Sequence, residues 1–308
     1  MALLDDDGPA PREQLTARPR LRRIEAVVNT ASGSVGPGAP AILQQVVAAH
    51  GYTLNLATPA PEDLTGAIAA AVDAAPDLVV ILGGDGTARL AAERCGPDGP
   101  LLAALPGGTL NMLPHVLYGV KPWREALEAA LSEGVERRLG GGCVDGRAFY
   151  VAAILGAPAL WSAAREAVRA GKLSRAWRRG AYALRRSFTG RIRYTLDGLA
   201  QREAEALVLI SPTVSKTMTE ALSLEVAELD VHNATEMFRL AFHGLAGDWR
   251  RDPGVTVYAA LHGRAGAKRP IPCILDGEIV TLGHRAEFEF RPRAFRALAL
   301  EGASGPML

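Results

Sequence analysis

A chain of 308 residues with 48% hydrophobic content is long enough for one large core or two smaller ones, and its net charge of +1 gives no global pull toward nucleic acid. Cys95, Cys143 and Cys273 are far apart and outside any CxxC pair, which argues against a disulfide framework or a structural zinc site and suits a reduced, cytosolic setting. The opening "MALLDDDGPAPREQLTARPR" carries acids where a secretory signal needs a basic start and an apolar stretch, so residues 1–20 read as a disordered lead-in.

From about residue 21 short apolar runs alternate with Ala-rich helical patterns. The spacing predicts a strand over 24–29, a helix over 39–51 closed by Gly51, a strand over 52–58, a helix over 61–75, a strand over 77–83, a helix over 88–95 and a strand over 101–106. This βαβα rhythm predicts an α/β domain over 21–140, a parallel sheet with helices on both faces, whose ligands sit at the carboxyl ends of the strands. A further helix is expected over 122–134.

The pattern then changes. Asp145-Gly146 lies between "GGCV" and "AFYVAAI", Asp197-Gly198 between "RIRYTL" and "EALVLI", and Asp276-Gly277 between "IPCIL" and "EIVTL". Asp-Gly flanked by strand formers is a hairpin cue, so an antiparallel β-sandwich domain is expected over 141–290, with a helical insertion near 159–188 and a shorter helix near 233–245. The boundary is placed at Gly140-Gly141-Gly142, and the closing segment 291–308 is expected to return to the first domain. The uncharged run "AFYVAAILGAPALW" is too short to span a membrane.

Two glycine loops carry the chemistry. "GGDGT" (83–87) stands between an apolar strand and a helix, where Gly83, Gly84 and Gly86 let backbone N–H groups and the positive end of the helix dipole approach an anion such as phosphate. Pure phosphate cradles avoid acids. Asp85 therefore reads as a holder of Mg²⁺, as an acceptor of a hydroxyl proton, or as a plain helix N-cap in a tight turn. "PGGTLN" (106–111) repeats the arrangement with Gly107, Gly108 and Thr109 and ends in Asn111, an amide suited to a nucleotide edge.

In order along the chain, "NTASG" (29–33), "GGDGT", "PGGTLN" and "LDGE" (275–278) resemble the motifs of the diacylglycerol kinase-like lipid kinases, a family that includes bacterial diacylglycerol kinases and the sphingosine and ceramide kinases. The resemblance covers about residues 21–295. It implies an α/β domain and a β-sandwich domain with ATP and Mg²⁺ in the cleft between them. Thr58, the loop from Gly83 to Thr87, and Thr109 with its neighbours Gly107, Gly108 and Asn111 correspond to the nucleotide site, and Asn29, Ser32 and Gly33 to the cleft lining. Glu278 matches the residue that takes the proton from the lipid hydroxyl, and Asp85 the loop aspartate with metal-binding or catalytic roles. Thr30 stands where the family has proline. Arg89-Leu90 replace an Asn-Glu pair, which makes Arg89 a phosphate contact or an exposed helix residue. "TEALSLEV" (219–226) lacks the Asp-Gly of a second, structural Mg²⁺ site, so none is expected there.

Between residues 165 and 193 basic residues are many and Glu166 is the single acid, while Leu173, Trp177, Ala181, Leu184 and Phe188 recur at helical spacing. A basic amphipathic helix suits an anionic membrane surface, so peripheral association with the inner membrane face is expected for an otherwise cytoplasmic enzyme. The six histidines form no metal-ligand spacing, and His115 reads as structural. The leading expectation is an ATP-dependent lipid kinase acting on a ceramide, sphingoid or diacylglycerol hydroxyl. An NAD kinase-like enzyme and a non-catalytic nucleotide or lipid sensor are the alternatives.

Overall fold

The computed structural model describes residues 18–156, 191–214, 223–230, 250 and 253–303. The predicted lead-in up to residue 17, the basic insertion from 157 to 190, the first half of "TEALSLEV" and the helix expected near 233–245 lie outside the described residues.

β1 (Arg23–Val28), β2 (Thr53–Ala57), β3 (Leu78–Gly83) and β4 (Leu101–Pro106) form parallel pairs in the order β2-β1-β3-β4. β3 and β4 are buried along their whole length because they are inner strands of a sheet with helices packed on it, which explains their unbroken apolar sequences "LVVILG" and "LLAALP". Around them α1 (Ala39–Ala49) packs beside α5 (Trp123–Glu133), while α2 (Leu64–Asp73) packs beside α3 (Asp85–Cys95). α4 (Met112–Tyr118), unforeseen in the sequence, follows the second glycine loop and packs beside α3. α3 begins three residues before the predicted helix, so Asp85, Gly86 and Thr87 occupy its first turn.

The first sheet does not stop at β4. β16 (Arg285–Ala299) lies parallel to β4 through Ala297 opposite Leu102, and antiparallel to β5 (Val135–Val144) along nearly its whole length. The sheet then continues through β13 (His262–Gly266), β8 (Ile192–Leu196) and β9 (Arg202–Ala204), with β6 (Arg147–Phe149) paired to β5. A second, antiparallel sheet has the order β12 (Val255–Ala260), β11 (Leu224–Leu229), β10 (Ala206–Ile210), β7 (Ala152–Gly156), β14 (Pro272–Leu275), β15 (Glu278–Thr281).

Two hydrophobic cores result. The first gathers Ile24, Leu43, Ile81, Leu102 and Leu127, and β16 adds Phe295 and Leu298 to it. The second is filled from both sheets by Phe149, Leu155, Tyr194, Leu207, Cys273 and Phe288. Each such side chain, fully buried, contributes about 1.5–3 kcal/mol. Gly140, Gly141 and Gly142 lie inside β5, where the strand leaves the first core for the second and β16 shifts register between Arg291 and Phe295. A β-carbon on Gly141 or Gly142 would fall within 3.0 Å of Phe149.

The hairpins need one correction. Asp145-Gly146 joins β5 to β6 only, and Asp197-Gly198 joins β8 to β9, whereas "AAILG" and "ALVLI" belong to the opposite sheet. The chain crosses between sheets at Tyr150-Val151 and at the buried Glu205, so the apparent second arm of each hairpin is two short strands facing different partners. The third hairpin, β14–β15 around Asp276-Gly277, pairs as the sequence suggests. Among the described residues no helix is long and apolar enough to cross a membrane.

Candidate active site

The carboxyl ends of β1, β3 and β4 lie level, with Val28 opposite Leu82 and Gly83 opposite Pro106, so the three following segments meet at one edge. The Asn29 N–H donates to Leu82 O at 2.9 Å, and the Asn29 side chain accepts from Ala31 N, turning "NTASG" back over the sheet. Ser32 Oγ donates to Gly107 O at 2.7 Å and Ser34 Oγ to Gly108 O at 3.3 Å. Gly107 N in turn donates to Gly83 O at 2.9 Å. The two glycine loops therefore stack backbone on backbone. A β-carbon on Gly107 would lie 2.8 Å from Gly83 N, and one on Gly108 2.6 Å from Gly84 Cα, closer than side chains tolerate.

Gly84 caps α3 with no side chain bonded to the helix start. The first-turn N–H groups of Asp85, Gly86 and Thr87 precede the first backbone bond of the helix, Ala88 N to Gly84 O, and the dipole gives this end positive character. Thr87 is buried against Gly83.

Asp85 does not cap its own helix. Its carboxylate accepts from Asn111 N at 2.9 Å and Met112 N at 2.5 Å, the first donors of α4. Asn111 sits in the left-handed region at φ 51° to present both groups. Burial raises the Asp85 pKa above the usual carboxylate value, and the N–H groups of Met112 and Asn111 oppose that shift. The Asn111 amide is spent within its own loop, its Oδ1 accepting from Gly108 N at 2.8 Å and its Nδ2 donating to Gly108 O at 3.2 Å. His115, one turn into α4, has a buried Nδ1 with no hydrogen-bond partner; burial lowers its pKa, and the nearby Asp85 acts in the other direction.

The β14–β15 hairpin closes over this edge. Asp276 and Gly277 both have positive φ, 45° and 90°, the backbone of a tight primed turn. The Asp276 carboxylate points inward and accepts from Tyr150 N at 2.7 Å, Val151 N at 2.8 Å and Ala152 N at 3.0 Å. These are the donors set free where the chain changes sheets. Burial pushes the Asp276 pKa up to about 6 against those three bonds, and Asp85 adds to the rise. Sequence reading saw only a turn signal at Asp276. Gly277 faces Leu110 of the second loop, whose Cδ1 would stand 3.0 Å from an added β-carbon. The Glu278 carboxylate rests on Gly86, where a β-carbon would come within 3.0 Å of Glu278 Oε1. Arg89 Nη2 donates to Glu278 Oε2 at 2.9 Å.

The expected site residues thus fall into three groups. Asn29, Ser32, the loop from Gly83 to Thr87, Arg89, Gly107, Gly108, Asn111 and Glu278 are brought together by the contacts above. Thr109 is exposed on the second loop, and Gly33 is exposed with open space around it. Thr58 is exposed just beyond the outer strand β2, at the same edge of the sheet. Among the described residues no group of three His, Cys, Asp or Glu side chains is placed to hold a metal ion; the carboxylates of Asp85 and Glu278 lie beside the helix start.

Residues 23–139 match the family described as the diacylglycerol kinase catalytic domain. No curated protein matches the chain by sequence. Among solved structures, a diacylglycerol kinase from Bacillus anthracis str. Sterne is similar with a TM-score of 0.67 at 17% identity, over 93% of this chain and 100% of that one. An NAD kinase from Archaeoglobus fulgidus in complex with ATP is similar with a TM-score of 0.50 at 11% identity, over 91% of this chain and 95% of the other. These structural likenesses are likenesses of fold.

Proposed function

We propose that this chain, whose residues 23–139 match the diacylglycerol kinase catalytic domain, is a lipid kinase that transfers the γ-phosphate of ATP to a hydroxyl of a neutral lipid, with Glu278 taking the hydroxyl proton. One observation carries the reading. The Glu278 carboxylate lies directly on Gly86, at the helix start where phosphate would bind, although α3 packs into the first core and β15 against the second.

Phosphoryl transfer asks the protein for positioning, for charge stabilisation and for a carboxylate near the attacking oxygen. The first-turn N–H groups of α3 and the glycine backbones of both loops supply the anion cradle, and the close approaches at Gly86, Gly107 and Gly108 keep it free of side chains. Asp85 fits one ligand position for Mg²⁺. Its carboxylate accepts from Asn111 N and Met112 N, with Leu113 N acting on it as well, and Mg²⁺ is commonly held by one or two carboxylates together with substrate phosphates. Bound there, the ion would neutralise charge on the phosphate oxygens. Asp85 meanwhile holds the second loop in register through Asn111 and Met112, so its substitution disturbs the cradle as well. Asn29, Ser32, Gly33, Thr58, Thr109 and Asn111 complete the nucleotide side.

The acceptor is a ceramide, sphingoid or diacylglycerol type lipid. It reaches Glu278 from the β-sandwich side, and the basic segment 165–193 supports contact with an anionic inner membrane face. Purified protein with labelled ATP, Mg²⁺ and a panel of diacylglycerol, ceramide, sphingosine and NAD tests this directly. Label on one of the lipids is the expected result; label on NAD alone would move the chain to the NAD kinase reaction. Glu278→Gln is expected to lower transfer about 10²–10⁴-fold with ATP binding retained. Full activity in that variant would remove Glu278 as the base.

A further inference from the structure

We infer that Arg89 is a positioning residue for Glu278, serving the acceptor side of the cleft and not the nucleotide. The inference rests on the reading of Glu278 as proton acceptor. Arg89 stands three residues after Gly86 and four after Asp85, hence on the same face of α3, and a helical side chain lies over the turn preceding its own Cα. That turn contains Gly86. The missing side chain at Gly86 leaves the slot that Glu278 fills, and Arg89 closes it, Nη2 to Glu278 Oε2 at 2.9 Å.

The guanidinium is itself held. Glu93, one turn further along α3, lies 3.5 Å from Arg89 Nη1, so the cation is strapped between two carboxylates. Its side chain is 21% exposed against 44% for Glu278, and Nε is buried with no hydrogen-bond partner. A buried N–H without a partner is destabilising. The side chain keeps this position at that cost and directs its η nitrogens at the two acids. Chemistry gives a reason. A carboxylate that must share an attacking oxygen with a phosphate suffers anion repulsion, and a fixed cation beside it lessens that repulsion.

Steady-state kinetics of the full chain with ATP and the lipid that the wild type phosphorylates, together with calorimetry of ATP binding and thermal melting, test the assignment. Arg89→Gln is expected to lower kcat about 30–100-fold while the KM and calorimetric Kd for ATP stay within about twofold. Arg89→Lys, which keeps the charge, should recover about tenfold of that loss, and Glu93→Gln should cost about threefold. A rise in the KM for ATP with kcat unchanged would make Arg89 a phosphate contact and overturn the inference. So would kcat within twofold of wild type, or equal losses in the Gln and Lys variants accompanied by a fall in melting temperature. A wild-type protein that binds ATP yet labels no lipid would overturn the kinase reading first, and this inference with it.

Discussion

Two aspartate-glycine pairs face each other across the cleft, and they use the same two residue types differently. In both, the carboxylate serves backbone donors of a distant segment: Asp85 takes Asn111 and Met112, Asp276 takes Tyr150, Val151 and Ala152. In both, the glycine makes room for the opposite side, Gly86 for Glu278 and Gly277 for Leu110. The backbone differs. Asp85-Gly86 opens a helix, which leaves N–H groups and a positive dipole for an anion; Asp276-Gly277 has positive φ at both residues and turns its polar groups inward. An acid in a motif is therefore no guide to chemistry by itself. Asp276 holds a wall only, Asp85 holds a wall beside the helix start, and Glu278 and Arg89 meet at Gly86.

The largest expected effect comes from filling the slot on the helix side. Gly86→Ala places a β-carbon against the flexible end of Glu278, so lipid phosphorylation should fall about 10²–10³-fold while the melting temperature changes little. A comparable fall in stability would show Gly86 to be structural, like its counterpart.

Next is Asp276→Asn, which leaves buried N–H groups facing an amide and should cost about 2–4 kcal/mol in urea unfolding. A pH dependence accompanies it. The folded pKa of about 6 exceeds the ordinary carboxyl value of 3.8, so this carboxyl's favourable contribution is complete below about 3.8 and is lost as pH rises through about 6. At 1.36 kcal/mol per unit, the wild type should gain roughly 2 kcal/mol from this group between pH 7 and pH 4, and the variant should not. Parallel unfolding curves for the two proteins across that range would remove the assignment.

Smaller again is Gly277→Ala, strained at φ 90° and crowded by Leu110, with an expected cost of about 1–2 kcal/mol and a modest loss of transfer. Asn111→Ala, which opens the second loop at Gly108, should cost about 1 kcal/mol and raise the KM for ATP a few-fold, measured by melting and initial rates.

Much of the α/β region was legible because buried parallel strands carry unbroken apolar runs and the helices between them keep a 3.6-residue period. The four motifs that meet at the cleft could be ordered along the chain for the same reason: each follows a strand or sits in a turn. What stayed hidden depends on partners far away in sequence. α4 starts at Met112 because Asp85, 27 residues earlier, receives its first donors, and no local signal at "NMLPH" says so. The split hairpins escaped because Tyr150-Val151 and Glu205 change sheets within one or two residues, a feature that alternation of apolar and polar residues does not encode. Arg89 looked like a departure from a motif; its partner lies 189 residues away. The basic insertion that suggested a membrane falls outside the described residues, and its membrane contact stands as a proposal.

The seam between β4 and β16 has a consequence for how the protein is made. β4 ends at Pro106, and the strand that lies beside it runs to Ala299, so the parallel sheet leaves the ribosome with an uncovered edge. At about 5–20 residues per second, roughly ten to forty seconds of synthesis separate the two. During that interval β4 offers unpaired donors and acceptors to any extended segment, including the same strand of another nascent chain. Closing the gap joins residues of high sequence separation, a slow step for folding. Refolding yield should therefore depend on protein concentration more steeply than for a domain completed in order along the chain.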